Sequence, residues 1–424
     1  MSDRWAEDAS RPAQERSSKR GLFGVLLRFL GPGFLVTIGF VDPGNWATNI
    51  AGGAEFKYDL LWVITLSTLM LILIQNMSAR LGIATGRSLG VNIREGFSRP
   101  VSGTIGVTVV IACAATDVAE LLGGAIGFNL LFGFPLWLGA LLTVLLEVFF
   151  IVSQRYHRLE RIILGFLGVI TVCFLIELFI VKPNWAEVAP AIVVPTVSRA
   201  NIYIAMGMLG AVVMPHNVFL HSNVIQSRQW GTTDDEKRKM IRYGRADTFA
   251  AMGVGWAVNS AMIIVAATVF FPHGVVVDSL EQASATLRPL AGQFAGFLFA
   301  LALLAAGISS STTSSMAEVN VITAFLGKPE DPRTLLYRLS TFLTAIPSFV
   351  LILAKVDTFR ILILSQVVLS IQLPFTLIPL LILCRREKVM GVFRSGVVEF
   401  TLATLVSAII IALNLYLLYS TVAQ

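Results

Sequence analysis

The chain has 424 residues, of which 55% are apolar and only 14% charged, with a mean hydropathy of +0.77, values that no soluble globular domain reaches. Its net charge of +6 comes from basic residues scattered between apolar runs, without a surface stripe, which argues against a nucleic-acid partner. No G-x-x-x-x-G-K-[ST] loop is present and the three cysteines, Cys113, Cys173 and Cys384, lie far apart, so neither a nucleotide-driven pump, a disulfide framework nor a thiolate metal site is expected.

Residues 1–24 are polar and charged with no apolar segment followed by a cleavage site, and read as a disordered cytosolic tail. Apolar runs of membrane-crossing length follow at about 25–54, 60–83, 102–130, 132–152, 161–181, 201–226, 246–271, 290–322, 335–354, 360–384 and 397–420, which makes eleven spans in one transporter domain over 25–424. With the N-terminus inside, 26 of the 32 Lys and Arg fall on the cytoplasmic side, and the odd span count then puts the C-terminus outside. Short loops suit a cell membrane of the bacterial inner type.

Two spans are interrupted. Span 1 carries Asp42-Pro43-Gly44-Asn45 and span 6 carries Gly210-Ala211-Val212-Val213-Met214-Pro215-His216-Asn217. Pro and Gly break a helix, a carboxylate at mid-membrane depth is costly, and free backbone polar groups survive there only inside protein or along a polar cavity. Matched breaks in two halves point to a midplane binding site. Because the second break comes five spans after the first, spans 1–5 (about 25–181) and 6–10 (about 201–384) read as an inverted pair with span 11 (about 397–420) added: an all-α, LeuT-like 5+5 architecture with discontinuous helices 1 and 6. Asp42, Asn45 and Met214 offer a carboxylate, an amide oxygen and a thioether. Hard Mg²⁺ and Ca²⁺ prefer oxygen alone and sulfur suits softer ions, so the mixture favours Mn²⁺, Fe²⁺ and their later neighbours. The Ala211 carbonyl, at a half-helix C-terminal end, can add a further oxygen.

Asp117 and Glu120 share a face of span 3 at i and i+3, whereas His216 and His221, five apart, diverge by roughly 140° around a regular helix. Intramembrane acids and histidines are frequent members of proton relays. The blander readings are core packing for Met214, helix–helix hydrogen bonding for the histidines, a buried ion pair for Asp117 and Glu120, and close helix packing for Gly123-Gly124 and Ser309–Ser315. Glu147 and Glu177 also lie in spans but accompany no break.

The two break motifs, together with Thr116-Asp117-Val118-Ala119-Glu120, Asn129-Leu130-Leu131-Phe132-Gly133, Ser365-Gln366-Val367-Val368-Leu369-Ser370 and Gln372-Leu373-Pro374-Phe375, resemble the Nramp family, proton-coupled importers of divalent transition metals. The resemblance runs from about Gly31 to span 11. It implies that Asp42, Asn45, Met214 and the Ala211 carbonyl are metal ligands, that Gln366 joins them on occlusion, and that protons move through Asp42, His216, His221, Asp117 and Glu120. It departs in span 9, where the paired arginines frequent in the family reduce to Arg338. The retained Met214 separates the chain from the magnesium-transporting relatives.

The expected activity is therefore secondary active import of Mn²⁺ or Fe²⁺ with H⁺, with no enzymatic reaction and no resident cofactor. An organic-cation or amino-acid carrier of the same fold is the first alternative, though Asp42 would repel a substrate carboxylate. A passive metal channel or a metal sensor is the second.

Overall fold

The structure is a computed structural model that describes residues 31–422 except 154–155, 199, 229–231, 331–333, 344 and 355–357; the expected tail over 1–24 lies outside the described residues. Among them the secondary structure is helical throughout. The first span is two half-helices, α1 (Pro32–Gly39) and α2 (Pro43–Phe56), followed by α3 (Leu61–Thr85), a short α4 (Leu89–Gly96), α5 (Arg99–Phe132), α6 (Leu136–Ser153) and α7 (Tyr156–Val181). A short α8 (Trp185–Ala191) leads to the second broken span, α9 (Ile202–Val212) and α10 (Pro215–Val224). Then come α11 (Asp234–Val269), a short α12 (Leu280–Ala291), α13 (Gln293–Leu326), α14 (Leu335–Leu343) and α15 (Ala345–Leu353) on either side of residue 344, α16 (Thr358–Arg385) and α17 (Val397–Val422). Eight described helices are long and apolar enough to cross a membrane, and a shorter apolar one covers Leu136–Val152. With the two broken spans these make up the eleven expected crossings.

α11 starts twelve residues before the expected span, at Asp234. A capping box starts it: the Thr233 hydroxyl accepts from the Glu236 N–H at 3.4 Å and the Glu236 carboxylate accepts from the Thr233 N–H at 3.2 Å, which satisfies two backbone donors in a charged segment that hydropathy alone passes over. α5 and α13, the helices of spans 3 and 8, have 34 residues each, more than a bilayer crossing needs.

α5 and α13 run antiparallel through the middle of the molecule in close contact. Small residues make this possible: a Cβ on Gly307 would lie 2.3 Å from the Gly124 nitrogen, and one on Gly123 would lie 2.1 Å from Cγ of Pro43, so α5 presses directly against the first break. The serine and threonine side chains of Ser309–Ser315 are buried, and six of the seven hydroxyls bond back to their own helix or to Glu147. The three cysteines are free and buried.

Candidate metal site

Both breaks are built the same way. Asp42 (φ −72°, ψ 158°) precedes Pro43, the first residue of α2, and Met214 (φ −79°, ψ 122°) precedes Pro215, the first residue of α10. The proline ring excludes the residue before it from helical geometry, while at the first helical position proline costs no hydrogen bond. Each pair therefore stops one half-helix, starts the next, and leaves the Asp42 carboxylate and the Met214 thioether at the break. Asp42 also caps α2: its two oxygens accept from the Gly44 N–H at 3.0 Å and the Asn45 N–H at 3.1 Å.

The carbonyls released by the first break are used locally. Asn45 Nδ2 donates to the Phe40 carbonyl at 3.1 Å and Trp46 Nε1 donates to the Val41 carbonyl at 3.1 Å. The Trp46 indole is fully buried, edge-on to Phe174 and Phe299 with ring centres 5.0 and 5.3 Å away, which fixes the first turn of α2. Asn259 of α11 also donates to the Phe40 carbonyl at 2.9 Å, and accepts from Asn49 Nδ2 at 2.6 Å.

Two side chains tie neighbouring elements to the breaks. Asn217 Nδ2 lies 3.6 Å from the Met214 sulfur, and the same nitrogen would be 1.9 Å from a Cβ placed on Gly39, so Asn217 spans from the second break to the last turn of α1. Gln366 of α16 sits against the first turn of α2: a Cβ on Gly44 would be 2.1 Å from its Nε2 and 2.9 Å from Asp42 Oδ2. Asp42, Asn45, Met214 and Gln366 are 0, 2, 1 and 6% exposed, so the break region is closed to solvent. Ala211 lies in the last turn of α9. Among the described residues no three His, Cys, Asp or Glu side chains converge as a metal cage. The donor set at the breaks is instead one carboxylate, amides and a thioether.

The two histidines part company. His216 Nδ1 is 3.4 Å from Thr116 Oγ1, next to Asp117 on α5, whereas His221 Nδ1 is 3.0 Å from Gln75 Oε1 on α3. The structure thus brings His216, but not His221, to the helix carrying Asp117 and Glu120, both of which are buried. Their divergence follows the five-residue spacing. The starting end of α1 is also held: Asp247 accepts from the Gly31 N–H at 3.0 Å and the Gly33 N–H at 2.6 Å, and beside Gly31 the Arg228 guanidinium grips Glu160 at 2.6 and 3.2 Å. Asn259, Asn49, Gln75 and Asp247 escaped the sequence reading. Each is a polar residue within a span, and that was their available signal.

A family model described as "Natural resistance-associated macrophage protein-like" (Nramp) matches residues 33–420. The chain is 41% identical over 405 residues to the divalent metal cation transporter MntH of Brucella suis, covering 93% of this chain and 88% of that protein. It is 38% identical over 405 residues to the MntH of Bacillus subtilis, covering 95% and 94%. The crystal structure of the Eremococcus coleocola manganese transporter superposes with a TM-score of 0.82 at 29% identity, over 95% of this chain and 88% of that one. Mhp1, a nucleobase-cation-symport-1 family transporter, superposes at 0.62 with 15% identity over 92% and 90%, a likeness of fold alone. The architecture is thus the all-α, LeuT-like 5+5 inverted repeat with helices 1 and 6 discontinuous. A match from residue 33 to residue 420, joined to two proline-broken helices that leave a carboxylate and a thioether at their breaks, makes this chain a member of the Nramp family of membrane transporters.

Proposed function

We propose that this protein imports divalent transition metal ions, Mn²⁺ or Fe²⁺, together with protons, by alternating access around the two helix breaks. The observation that carries the reading is the matched pair of pre-proline residues, Asp42 and Met214, each buried at the start of a half-helix. In this reading the ion is held by the Asp42 carboxylate, the Asn45 and Gln366 amide oxygens, the Met214 sulfur and the Ala211 carbonyl. A single carboxylate among neutral donors supports release on the far side, and the sulfur disfavours Mg²⁺ and Ca²⁺. The α1 and α9 half-helices offer their carbonyl ends, which suit a cation. The names of the curated relatives and of the manganese transporter support the choice of cargo.

The proton path of this reading runs from Asp42 through His216 to Asp117 and Glu120, with His221 as a branch on the α3 side. The 3.4 Å approach of His216 to Thr116 supports the first arm, and the Gln75 contact gives His221 a neutral partner. One transporter domain over about 25–424 is proposed, with repeats at about 25–181 and 201–384 and an added helix at about 397–420. Basic residues on the inner loops support a cytoplasmic N-terminus, an external C-terminus and an inner-membrane location.

In proteoliposomes, an inward proton gradient is expected to drive Mn²⁺ accumulation above the external concentration. Uptake that only equilibrates would indicate a passive channel and sink the carrier reading. Asp117→Ala, by the same reading, lowers the acidification that accompanies each metal ion entering, measured with an internal pH dye; unchanged acidification per ion would remove Asp117 from the route.

A further inference from the structure

Glu147 of α6 is buried (1% exposed), in a span without a break, and hydrogen-bonded to Ser315 of α13, which turns its hydroxyl to this carboxylate and not to its own helix. Its surroundings form a ladder. Gly124 meets Gly307 and Gly106 meets Phe325, so the antiparallel register of α5 on α13 sets Glu120 level with Ser311, Asp117 with Ser314, and Cys113 with Glu318. Thr143 of α6 lies against Gly124, which puts Glu147, one turn further along, at the height of Glu120. Glu147 interacts electrostatically with Asp117 and Glu120, reaches Ser311 as well as Ser315, and Glu318 acts on Cys113. The Glu120 carboxyl is buried, interacts with the Ser314 hydroxyl and makes no well-aligned hydrogen bond. One turn beyond, Ile151 of α6, Val319 of α13 and Tyr337 of α14 pack together. Under the topology given above, this sequence of rungs descends from the breaks to the cytoplasmic end.

We propose that Glu147, through Ser315, and Glu318 form the inner arm of the proton route, taking protons from the α5 acids and passing them between α6, α13 and α14 to the cytoplasm. The inference rests on the proton-coupled reading. Asp117 and Glu120 of α5 act on Glu147, Asp42 acts on Glu120 as well, and Glu318 of α13 acts on Cys113 of α5; no Lys or Arg forms a salt bridge with Glu147 or Glu120 among the described residues. The Glu147 and Glu120 carboxyls, packed in a dry region, can exchange protons. From Glu120 to Glu318 the drop is about 10 Å, within reach of two or three hops through serine hydroxyls. At each hop one O–H bond breaks as another forms: Ser315 Oγ accepts a proton from the α5 side while its own proton moves to Glu147, and no electron is transferred.

The test uses the full chain in proteoliposomes, reading the ratio of protons to Mn²⁺ entering with an internal pH dye and an internal metal-quenched dye. Glu147→Gln keeps the volume and an acceptor oxygen for Ser315, so a structural role predicts an unchanged ratio. The expected result is a severalfold fall in that ratio while Mn²⁺ still enters. An unchanged ratio, whether both fluxes stay high or fall together, overturns the proposal. Glu318→Gln is expected to lower the same ratio and decides the matter if the first variant does not insert. A wild-type protein that moves Mn²⁺ without any acidification would fail at the earlier step, refuting proton coupling and this arm with it.

Discussion

Replacing Asp42 by Asn is expected to abolish metal transport without unfolding the site. Asn ranks with Asp as a helix cap, so its one amide oxygen keeps a bond to the first turn of α2 while the charge and the second acceptor oxygen are lost. Asp42→Ala removes both. Comparing the two separates a cap, worth about 1 kcal/mol, from a ligand. The magnitudes already favour the ligand: a carboxylate at the centre of a membrane helix costs about 3 kcal/mol, which one cap does not offset and a bound cation does. Since disturbing even the outer partners of a metal ligand weakens binding 10–100-fold, loss of the carboxylate is expected to weaken Mn²⁺ binding by more than about 100-fold. Calorimetry in detergent and flux in proteoliposomes both read this. Transport by Asp42→Asn at the wild-type rate would remove the assignment.

Replacing Met214 by Ala is expected to change selectivity more than affinity. The sulfur sits where span 6 opens, with Asn217 Nδ2 3.6 Å away holding it toward α1. Without it the donors are oxygens, the shell that Mg²⁺ and Ca²⁺ prefer. The preference for Mn²⁺ over Mg²⁺ should therefore fall by about tenfold or more, equivalent to about 1.4 kcal/mol. A buried Met that only fills space would instead cost about 2–5 kcal/mol of stability on truncation and leave selectivity alone. Thermal stability and competitive Mg²⁺ binding measured on the same variant therefore distinguish the two roles. A destabilised variant with intact discrimination would reduce Met214 to packing.

The breaks were legible in the sequence because proline acts locally. Asp42-Pro43 and Met214-Pro215 dictate an extended residue followed by a helix start wherever they occur, and both backbones have that form. Among the described residues span limits were legible to within about a turn or two for the same reason, hydropathy being a property of consecutive residues, and the largest miss is where α11 extends through charged residues from its capping box. What the sequence hid was the partnership between distant elements. Nothing in Asn259 announces that it serves the Phe40 carbonyl, nor in Asn217 that it lies on Gly39. Glu147 drew no role when read along its own span, because its meaning comes from Ser315 of another helix and from the register of α5 on α13. His216 and His221 could be told apart by spacing, but which of them faces Thr116 could not.

In the proposed mechanism a carboxylate and a thioether grasp one ion between two split helices. X-ray absorption at the manganese edge of the Mn²⁺-loaded protein reads that shell. The expected spectrum contains one sulfur neighbour among oxygens and loses it in Met214→Ala. A wild-type shell made of oxygen and nitrogen alone would contradict the site as built here.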